Sequence, residues 1–383
     1  MSLKKASIAV LDMWASNQQT QGPSKHWLYN QLSSQFDVQI VRLPRWSLHD
    51  VLLLASTVSY TRYRWGTRFY TAQEKYGRTP RAFIKRTRLF QKALDDLPRN
   101  PDVILQIGAM FGPLDVKGVP YLSYHDQTMA MVEAHCTDWL PDNFETIKND
   151  WYRLERDFYN AVTQVVTYSN VTKGSMVNDY GVRPANVSVI PTACKLPFPN
   201  SEEALLPRKR QLLFVSTDFK LKGGDLLLEA FPLIKENVPN IELIIAGGKL
   251  PPGVVLSDPA IHYVGSLSAQ ELQRYYLTSE LLVHPARYDA FPNVLKEAIA
   301  CGLPVVASDL CGMPEILDQG KNGILIKNLT SASFAQAVIR LLRDKPHYQQ
   351  LQQQCLLARD RYQPAIVGQQ FITLINSCLG VKC

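Results

Sequence analysis

Short apolar runs rich in β-branched residues recur along the chain in two series, with helical patterns between most of them. The first series covers Ile8–Leu11, Val38–Leu43, Val103–Ile107, Tyr121–Tyr124, Val165–Tyr168 and Val187–Pro191. The second covers Leu212–Val215, Ile241–Ala246, His262–Val264, Leu281–His284, Val305–Ser308 and Ile324–Ile326. Strands that alternate with helices predict parallel, doubly wound sheets, because parallel neighbours need long crossover connections. Two series therefore predict an α/β protein with two such sheets.

A polar segment punctuated by prolines, residues 197–207, separates the two series. The length of 383 residues is also more than one hydrophobic core ordinarily serves. We therefore predict one domain over residues 1–196 and a second over residues 197–363. A final helical run follows Pro364 and reaches the end of the chain at residue 383.

Three features favour a cytoplasmic protein. The apolar run near the start is interrupted by Asp12, which suits a first strand better than a signal peptide. No run approaches the roughly 18 apolar residues of a membrane-spanning helix. The seven cysteines form no CxxC pair, as expected of reduced thiols. The prediction is a cytoplasmic chain.

Residues 284–317 contain the most informative motif. A buried strand ends at His284, a polar loop carries Asp289, and Asn293 is predicted to cap a helix. The N–H groups of Asn293 and Val294 at such a helix start attract a phosphate. Glu297 lies just inside the helix, where a carboxylate can accept hydrogen bonds from a ribose diol. This stretch predicts a nucleotide-sugar pocket.

The same stretch resembles a known family. Asp289, Glu297 and the surrounding FPNVLKEAIACGLPVVAS and GMPEIL are similar to the signature of retaining GT-B glycosyltransferases of family 4. That family carries two glutamates with seven residues between them, and Asp289 takes the first position here. The resemblance implies two Rossmann-like domains facing a central cleft, with the nucleotide sugar in the second and the acceptor in the first. It also implies that the helix at 364–383 completes the first domain.

Catalytic roles follow from the resemblance at three positions. His125 closes the run Tyr121–Tyr124, where the family places a histidine that contacts the donor sugar. Lys222 lies in the basic loop after a strand, where the family's lysine holds the pyrophosphate and stabilises the leaving group. Asp289 is expected to bind the donor sugar.

The resemblance also implies a set of donor-binding residues around these groups. Gly22 lies in a turn where the family has two adjacent glycines, and Lys220 stands in for the family's arginine. Gly265 follows a strand where the family seats the base and ribose. The expected donor-binding residues are Gly22, Lys220, Lys222, Gly265, Asp289, Phe291, Asn293, Val294 and Glu297. No metal ion and no other cofactor is expected.

Positive charge is concentrated between residues 60 and 100, which contain eleven Lys and Arg against three acids, interleaved with aromatic residues. A cationic aromatic surface suits the headgroup layer of an anionic membrane. The alternative is an amphipathic helix over 81–97 that packs on its own domain and leaves a solvated basic face. No nucleic-acid module accompanies the segment, so no nucleic-acid partner is expected.

The motifs of several other protein classes are absent from the sequence. There is no D-x-D triplet of a metal-dependent glycosyltransferase fold and no P-loop of a nucleotide triphosphatase. There is also no G-x-G-x-x-G of a dinucleotide oxidoreductase and no G-x-S-x-G of a serine hydrolase. The resemblance implies a retaining, metal-independent hexosyltransferase that moves a sugar from a nucleotide diphosphate to a glycan or glycolipid, in polysaccharide or glycolipid synthesis. Such an enzyme would be cytoplasmic or peripheral on the inner membrane face. Two alternatives remain open: a GT-B sugar-nucleotide epimerase, and a non-catalytic GT-B partner that binds nucleotide sugar or glycan.

Overall fold

The computed structural model describes residues 5–13, 26–43 and 75–380. Gly22 and the part of the basic segment before residue 75 lie outside these ranges. The chain divides into two compact units, Met1–Pro191 with Gly368–Cys383, and Thr192–Val367. The change of unit at Thr192 lies close to the predicted position, and residues 197–207 belong to the second unit.

The first unit contains one parallel sheet with helices in its connections. Its described elements are β1 (Ser7–Leu11), α1 (His26–Gln35), β2 (Asp37–Val41), α2 (Pro80–Asp95), β3 (Val103–Ile107), β4 (Tyr121–His125), α3 (Met129–His135), α4 (Phe144–Ala161), β5 (Gln164–Thr167), α5 (Asn170–Asn178) and β6 (Val187–Val189). The strand order is β2-β1-β3-β4-β5-β6. The three central strands β1, β3 and β4 are buried along their whole lengths, as strands covered by helices on both faces must be.

The second unit has the same architecture. Its elements are α6 (Ser201–Ala204), β7 (Gln211–Ser216), α7 (Gly224–Asn237), β8 (Glu242–Gly247), β9 (Ile261–Gly265), α8 (Ala269–Thr278), β10 (Leu281–His284), α9 (Asn293–Ala300), β11 (Val305–Ser308), α10 (Met313–Ile316), β12 (Gly323–Ile326), α11 (Ser331–Arg343) and α12 (Lys345–Ala358). The parallel strand order is β12-β11-β10-β7-β8-β9. Counted within this unit, that is the 3-2-1-4-5-6 order of a Rossmann sheet, whose switch point falls between β7 and β10.

The last helix, α13 (Pro364–Cys378), begins in the second unit and enters the first at Gly368. The Phe371 ring packs edge-on against Trp27 and Tyr124, with centroids 6.4 and 4.7 Å apart. Burial of Phe371 and Ile375 at 0% exposure makes this helix part of the first unit's core. The apolar face of α13 therefore packs against the first unit.

Helix α2 tests the two readings of the basic segment in the part that is described. Phe83 and Phe90 are fully buried, and Phe83 packs edge-on against Trp151 at 5.5 Å. Arg86 donates hydrogen bonds to the carbonyl groups of Met110 and Gly77, so it fastens the helix to its own unit. The helix thus packs on the first unit, as the alternative reading predicts, with other basic residues on its outer face.

No helix among the described residues is long and apolar enough to cross a membrane. In the same ranges, His, Cys, Asp and Glu side chains form no group of three or more that could hold a metal ion.

Candidate functional site

The loops that follow β7 and β10, residues 217–223 and 285–292, lie together at the switch point of the second sheet. Ligands of open α/β sheets bind at this position, outside the carboxyl ends of the strands. The main-chain N–H of Arg287 donates to the Leu221 carbonyl at 2.9 Å, and its guanidinium donates to the Lys220 carbonyl at 2.7 Å. The two loops are therefore tied to each other by hydrogen bonds.

Two glycines make this close approach possible. A Cβ atom at Gly223 would lie 1.9 Å from the Pro285 carbonyl oxygen, and the residue has a φ of +78°. A Cβ atom at Gly224 would lie 2.4 Å from the ring of Phe219. A larger residue at Gly223 would force the loops apart, so the double glycine is explained by packing and by backbone conformation.

Lys222 crosses from the first loop to the second. Its Nζ lies 2.8 Å from Oδ2 of Asp289 and donates to the Tyr288 carbonyl at 2.9 Å. Nε2 of His284 lies 3.5 Å from the same carboxylate oxygen. The structure thus brings together two predicted residues, Lys222 and Asp289, and adds His284.

The electrostatics of this group favour an ionised Asp289 and a neutral His284. Burial alone would raise the pKa of Asp289, but the nearby His284 ring and the charge of Lys222 outweigh burial and lower the pKa. Burial lowers the pKa of His284, although Asp289 partly offsets that effect. Lys222 is therefore held as a fixed cation by a carboxylate and a carbonyl.

Helix α9 begins beside this group, and one sequence prediction about it is wrong. Asn293 is the first helical residue, and Pro292 occupies the N-cap position without a side-chain capping bond. Proline suits a helix start because the first N–H groups have no intrahelical acceptor. Within the described ranges, Oδ1 of Asn293 is buried without a hydrogen-bond partner. Because no side chain caps the helix, the Asn293 and Val294 amides keep the features of an anion site.

Glu297 lies one helical turn further along α9 and is 7% exposed. The Tyr276 hydroxyl donates to its Oε2 at 2.8 Å. Burial raises the pKa of Glu297, while the hydrogen bond from Tyr276 and the charges of Lys195 and Lys296 lower it in part. The carboxylate has a fixed partner on one oxygen, which the sequence did not reveal.

Lys296, the neighbour of Glu297, is fully buried. Its Nζ donates to the Thr192 carbonyl at 3.0 Å and lies 5.1 Å from the centroid of the Phe291 ring. Burial lowers the pKa of Lys296 to about 7. Phe291 itself is predominantly buried, so the structure places this predicted donor-binding residue in the packing beneath the site.

The GMPEIL motif, residues 312–317, packs against the loop that follows β10. The Gly312 N–H donates to the Ala290 carbonyl at 3.0 Å, and a Cβ atom at Gly312 would lie 2.5 Å from the Phe291 ring. The glycine therefore lets the segment before α10 pack against the loop after β10.

The other predicted site residues lie apart from the Lys222–Asp289 group or outside the described residues. Lys220 is exposed, and its main-chain carbonyl accepts the bond from Arg287. Gly265 ends the edge strand β9, two strands away from β7 in the sheet. His125 ends β4 in the first unit, is 2% exposed, and packs edge-on against Tyr159 at 5.3 Å. Gly22 is not in the described ranges.

Sequence reasoning missed four residues of this arrangement: His284, Arg287, Tyr276 and Lys296. His284 and Arg287 lie at the end of β10 and in its loop, a position that could have marked them. Tyr276 lies on α8, outside the motif, and nothing in its local sequence reveals its contact with Glu297.

The fold has close counterparts among solved structures. Sucrose-phosphate synthase from Thermosynechococcus elongatus superposes with a TM-score of 0.65 at 15% identity, over 99% of this chain and 100% of that chain. HepE from Anabaena, solved with UDP and glucose, superposes with a TM-score of 0.62 at 14% identity, over 97% and 99% of the two chains. The protein therefore has the GT-B fold, and the predicted fold class is confirmed.

Residues 200–355 match the family model described as "Glycosyl transferases group 1". The chain is 30% identical over 156 residues to phosphatidyl-myo-inositol mannosyltransferase of Propionibacterium freudenreichii. This alignment covers 40% of this chain and 39% of that protein. It is 32% identical over 132 residues to D-inositol 3-phosphate glycosyltransferase of Mycolicibacterium gilvum, 31% of this chain and 29% of the relative. Residues 200–355 are therefore similar to glycosyl transferases group 1, in agreement with the resemblance seen in the sequence, and the chain aligns with less than half the length of these two relatives.

Proposed function

We propose that the protein is a retaining glycosyltransferase that transfers a hexose from a nucleotide diphosphate to a glycan or glycolipid acceptor. The observation that carries the proposal is the convergence of Lys222, Asp289 and the start of α9 at the switch point of the second sheet. A cation, a carboxylate and a helix N-terminus are complementary to a sugar joined to a diphosphate.

Each group has a chemical task in this proposal. Breaking the bond between sugar and phosphate leaves negative charge on the phosphate oxygen, and the fixed ammonium of Lys222 stabilises that charge. The Asn293 and Val294 amides bind the same diphosphate through the positive end of the helix dipole. Asp289 accepts hydrogen bonds from the sugar hydroxyls, and Glu297 accepts them from the ribose. The role of His125 stays a prediction from the resemblance.

The proposed reaction is a front-face substitution that retains the anomeric configuration. The sugar–phosphate bond breaks and positive charge develops at the anomeric carbon. The acceptor oxygen then bonds to that carbon on the face the phosphate leaves, and the leaving phosphate oxygen takes the proton of the acceptor hydroxyl. Lys222 and the helix amides supply the charge neutralisation that other glycosyltransferases assign to a metal. We therefore expect transfer to continue in the presence of a chelator.

The donor site is tested by calorimetric titration of the wild type and of Glu297→Ala with UDP, GDP, ADP, CMP and dTDP. UDP is the first choice because the similar fold of HepE was solved with UDP and with UDP-glucose. We expect one nucleotide to bind the wild type and to lose at least about tenfold in affinity in the variant. Glu236→Ala, an exposed carboxylate on α7, is the control and should bind as the wild type does.

The outcomes separate the candidate functions. No binding by the wild type, or equal binding by Glu297→Ala, would contradict the placement of the donor site. Binding without transfer to any acceptor would favour a non-catalytic partner, and conversion of the donor to an isomer without acceptor would favour an epimerase.

The acceptor is proposed to be presented at an anionic membrane surface. Arg81, Ile84, Arg88 and Lys92 are exposed and share one face of α2, opposite the buried Phe83 side. Three cations with an exposed apolar residue among them suit a headgroup layer. The support for this proposal is the exposed face of α2, whereas the partly buried Arg86 is bonded to its own unit and contributes none.

Vesicles containing anionic phosphatidylglycerol test this surface. The triple variant of Arg81, Arg88 and Lys92 to Gln should sediment with the vesicles several-fold less than the wild type at low salt. A matched triple variant of the exposed Lys249, Lys321 and Lys327 to Gln, on the second unit, removes the same charge and should bind as the wild type does. Equal loss in both variants would mean that only net charge matters.

A further inference from the structure

Tyr276 is the residue outside the signature motif that contacts Glu297 most directly. Its side chain is fully buried on α8, and its hydroxyl lies 2.8 Å from Oε2 of Glu297. Two helices thus meet through one hydrogen bond between a phenol and a carboxylate. A buried carboxylate depends strongly on such a bond, because removal of the donor leaves a buried charge without that compensation.

The cations near Glu297 do not replace this bond. Lys296 is adjacent in sequence, but its ammonium donates to the Thr192 carbonyl. Among the described residues, no Lys, Arg or His nitrogen lies within 4.0 Å of the Glu297 carboxylate. Tyr276 therefore makes the direct contact, and the cations act on Glu297 from a greater distance.

We propose that Tyr276 is a positioning residue for donor binding, which holds one oxygen of Glu297 so that the other can accept hydrogen bonds from the donor's ribose. The inference rests on the proposed function, because it requires that Glu297 contacts the donor. It extends that function to a residue on a different helix, outside the motif by which the family is recognised.

The arrangement has a pH consequence, since only an ionised carboxylate is purely an acceptor. The groups that act on Glu297 are Tyr276 from α8, Lys195 from the segment after β6, and Lys296 from α9 itself. Cys194 and Cys301 lie close enough to Glu297 to have their own pKa values raised, after burial, by its charge. Burial raises the pKa of Glu297, and Tyr276 is the first of the groups that oppose it. Loss of the hydroxyl should therefore raise that pKa further.

Tyr276→Phe tests the proposal, because it removes the hydroxyl and keeps the ring. The measurement is the dissociation constant of the bound nucleotide from pH 5.5 to 8.5. We expect binding about tenfold weaker near pH 7 and an acidic loss of affinity that begins at a higher pH than in the wild type. A purely structural residue would weaken binding equally at every pH.

Tyr348→Phe is the matched control. Tyr348 is a partly buried tyrosine of the second unit, and its hydroxyl donates to the Glu280 carbonyl at 2.9 Å, away from Glu297. Its variant should lose similar stability by thermal unfolding and keep the nucleotide affinity and pH profile of the wild type. This comparison separates a general loss of packing from a specific effect on Glu297.

The outcomes distinguish this inference from the proposed function. If Glu297→Ala loses nucleotide binding but Tyr276→Phe keeps the wild-type affinity and pH profile, the role of Tyr276 is refuted and the donor site stands. If Glu297→Ala binds as the wild type does, the proposed donor site is refuted, and the positioning role is refuted with it.

Discussion

The buried Lys296 should make the stability of this protein depend on pH in a way that one substitution removes. Its pKa is lowered to about 7 by burial, from an ordinary value of 10.5. Between these two pH values the unfolded chain binds a proton that the folded chain does not, so stability rises with pH across this window. Below pH 7 the cost is fully present, and it amounts to about 5 kcal/mol.

Lys296→Met keeps the length of the side chain and removes the titrating group. The same change leaves the Thr192 carbonyl, 3.0 Å from the ammonium in the wild type, without that donor. An unpaired buried carbonyl costs about 1–3 kcal/mol. At pH 6 to 7 the variant should therefore be more stable than the wild type by about 2–4 kcal/mol. Towards pH 10 the charge cost vanishes, and the variant should become the less stable of the two.

Urea unfolding followed by circular dichroism at pH 6, 7, 8, 9 and 9.5 measures this crossing. Lys321→Met is the control, because the Lys321 side chain is 71% exposed and its removal should change stability by less than about 0.5 kcal/mol at any pH. A difference between Lys296→Met and the wild type that stays constant from pH 6 to 9.5 would refute the reasoning. It would mean that the lysine does not titrate in this window when folded.

Two further substitutions test the packing of the second unit. Gly223→Ala should destabilise the protein by more than about 3 kcal/mol in thermal unfolding, because its Cβ would meet the Pro285 carbonyl. Gly253→Ala is the control: the residue has a φ of +87° and its Cβ would have no atom within 4 Å, so the variant should cost only the backbone strain of about 1–2 kcal/mol. Equal losses would contradict the steric argument. Arg208→Met should lower the unfolding free energy by about 3–5 kcal/mol, since the guanidinium donates to five carbonyl groups on α6, α8, α9 and their ends. Arg210→Met, which removes a half-exposed ion pair, should cost under about 1 kcal/mol, and a comparable loss there would argue against the Arg208 bonds.

The strands were the most predictable part of the fold. Apolar runs such as Leu281–His284 and Val305–Ser308 coincide with β10 and β11, because central strands of a covered parallel sheet must be apolar on both faces. The end of α9 was equally readable: Gly302 has a φ of +62°, and the following Leu303 N–H closes the helix on the Ala298 carbonyl at 2.9 Å.

The candidate site was predicted where its residues are near in sequence and missed where they are not. Asp289 and Glu297 are separated by a single loop, so their spacing was informative. Lys296 stands beside Glu297 in the sequence as an ordinary solvated helix charge would, whereas in the fold its ammonium bonds the carbonyl of Thr192, 104 residues earlier in the chain. Tyr276 likewise becomes meaningful only when α8 packs beside α9. The sequence pattern shows periodicity within one helix or strand, whereas these contacts join different elements.

The start of α9 has a consequence for how the empty and loaded forms differ. Pro292 offers no side-chain cap, so the first turn has amides whose hydrogen-bond acceptor must come from outside the helix. A bound diphosphate would supply that acceptor, and the ligand would then belong to the secondary structure as a capping residue does. Slower hydrogen–deuterium exchange at Val294 and Leu295 would accompany nucleotide binding. The bound nucleotide would thus complete the hydrogen bonding of the helix that binds it.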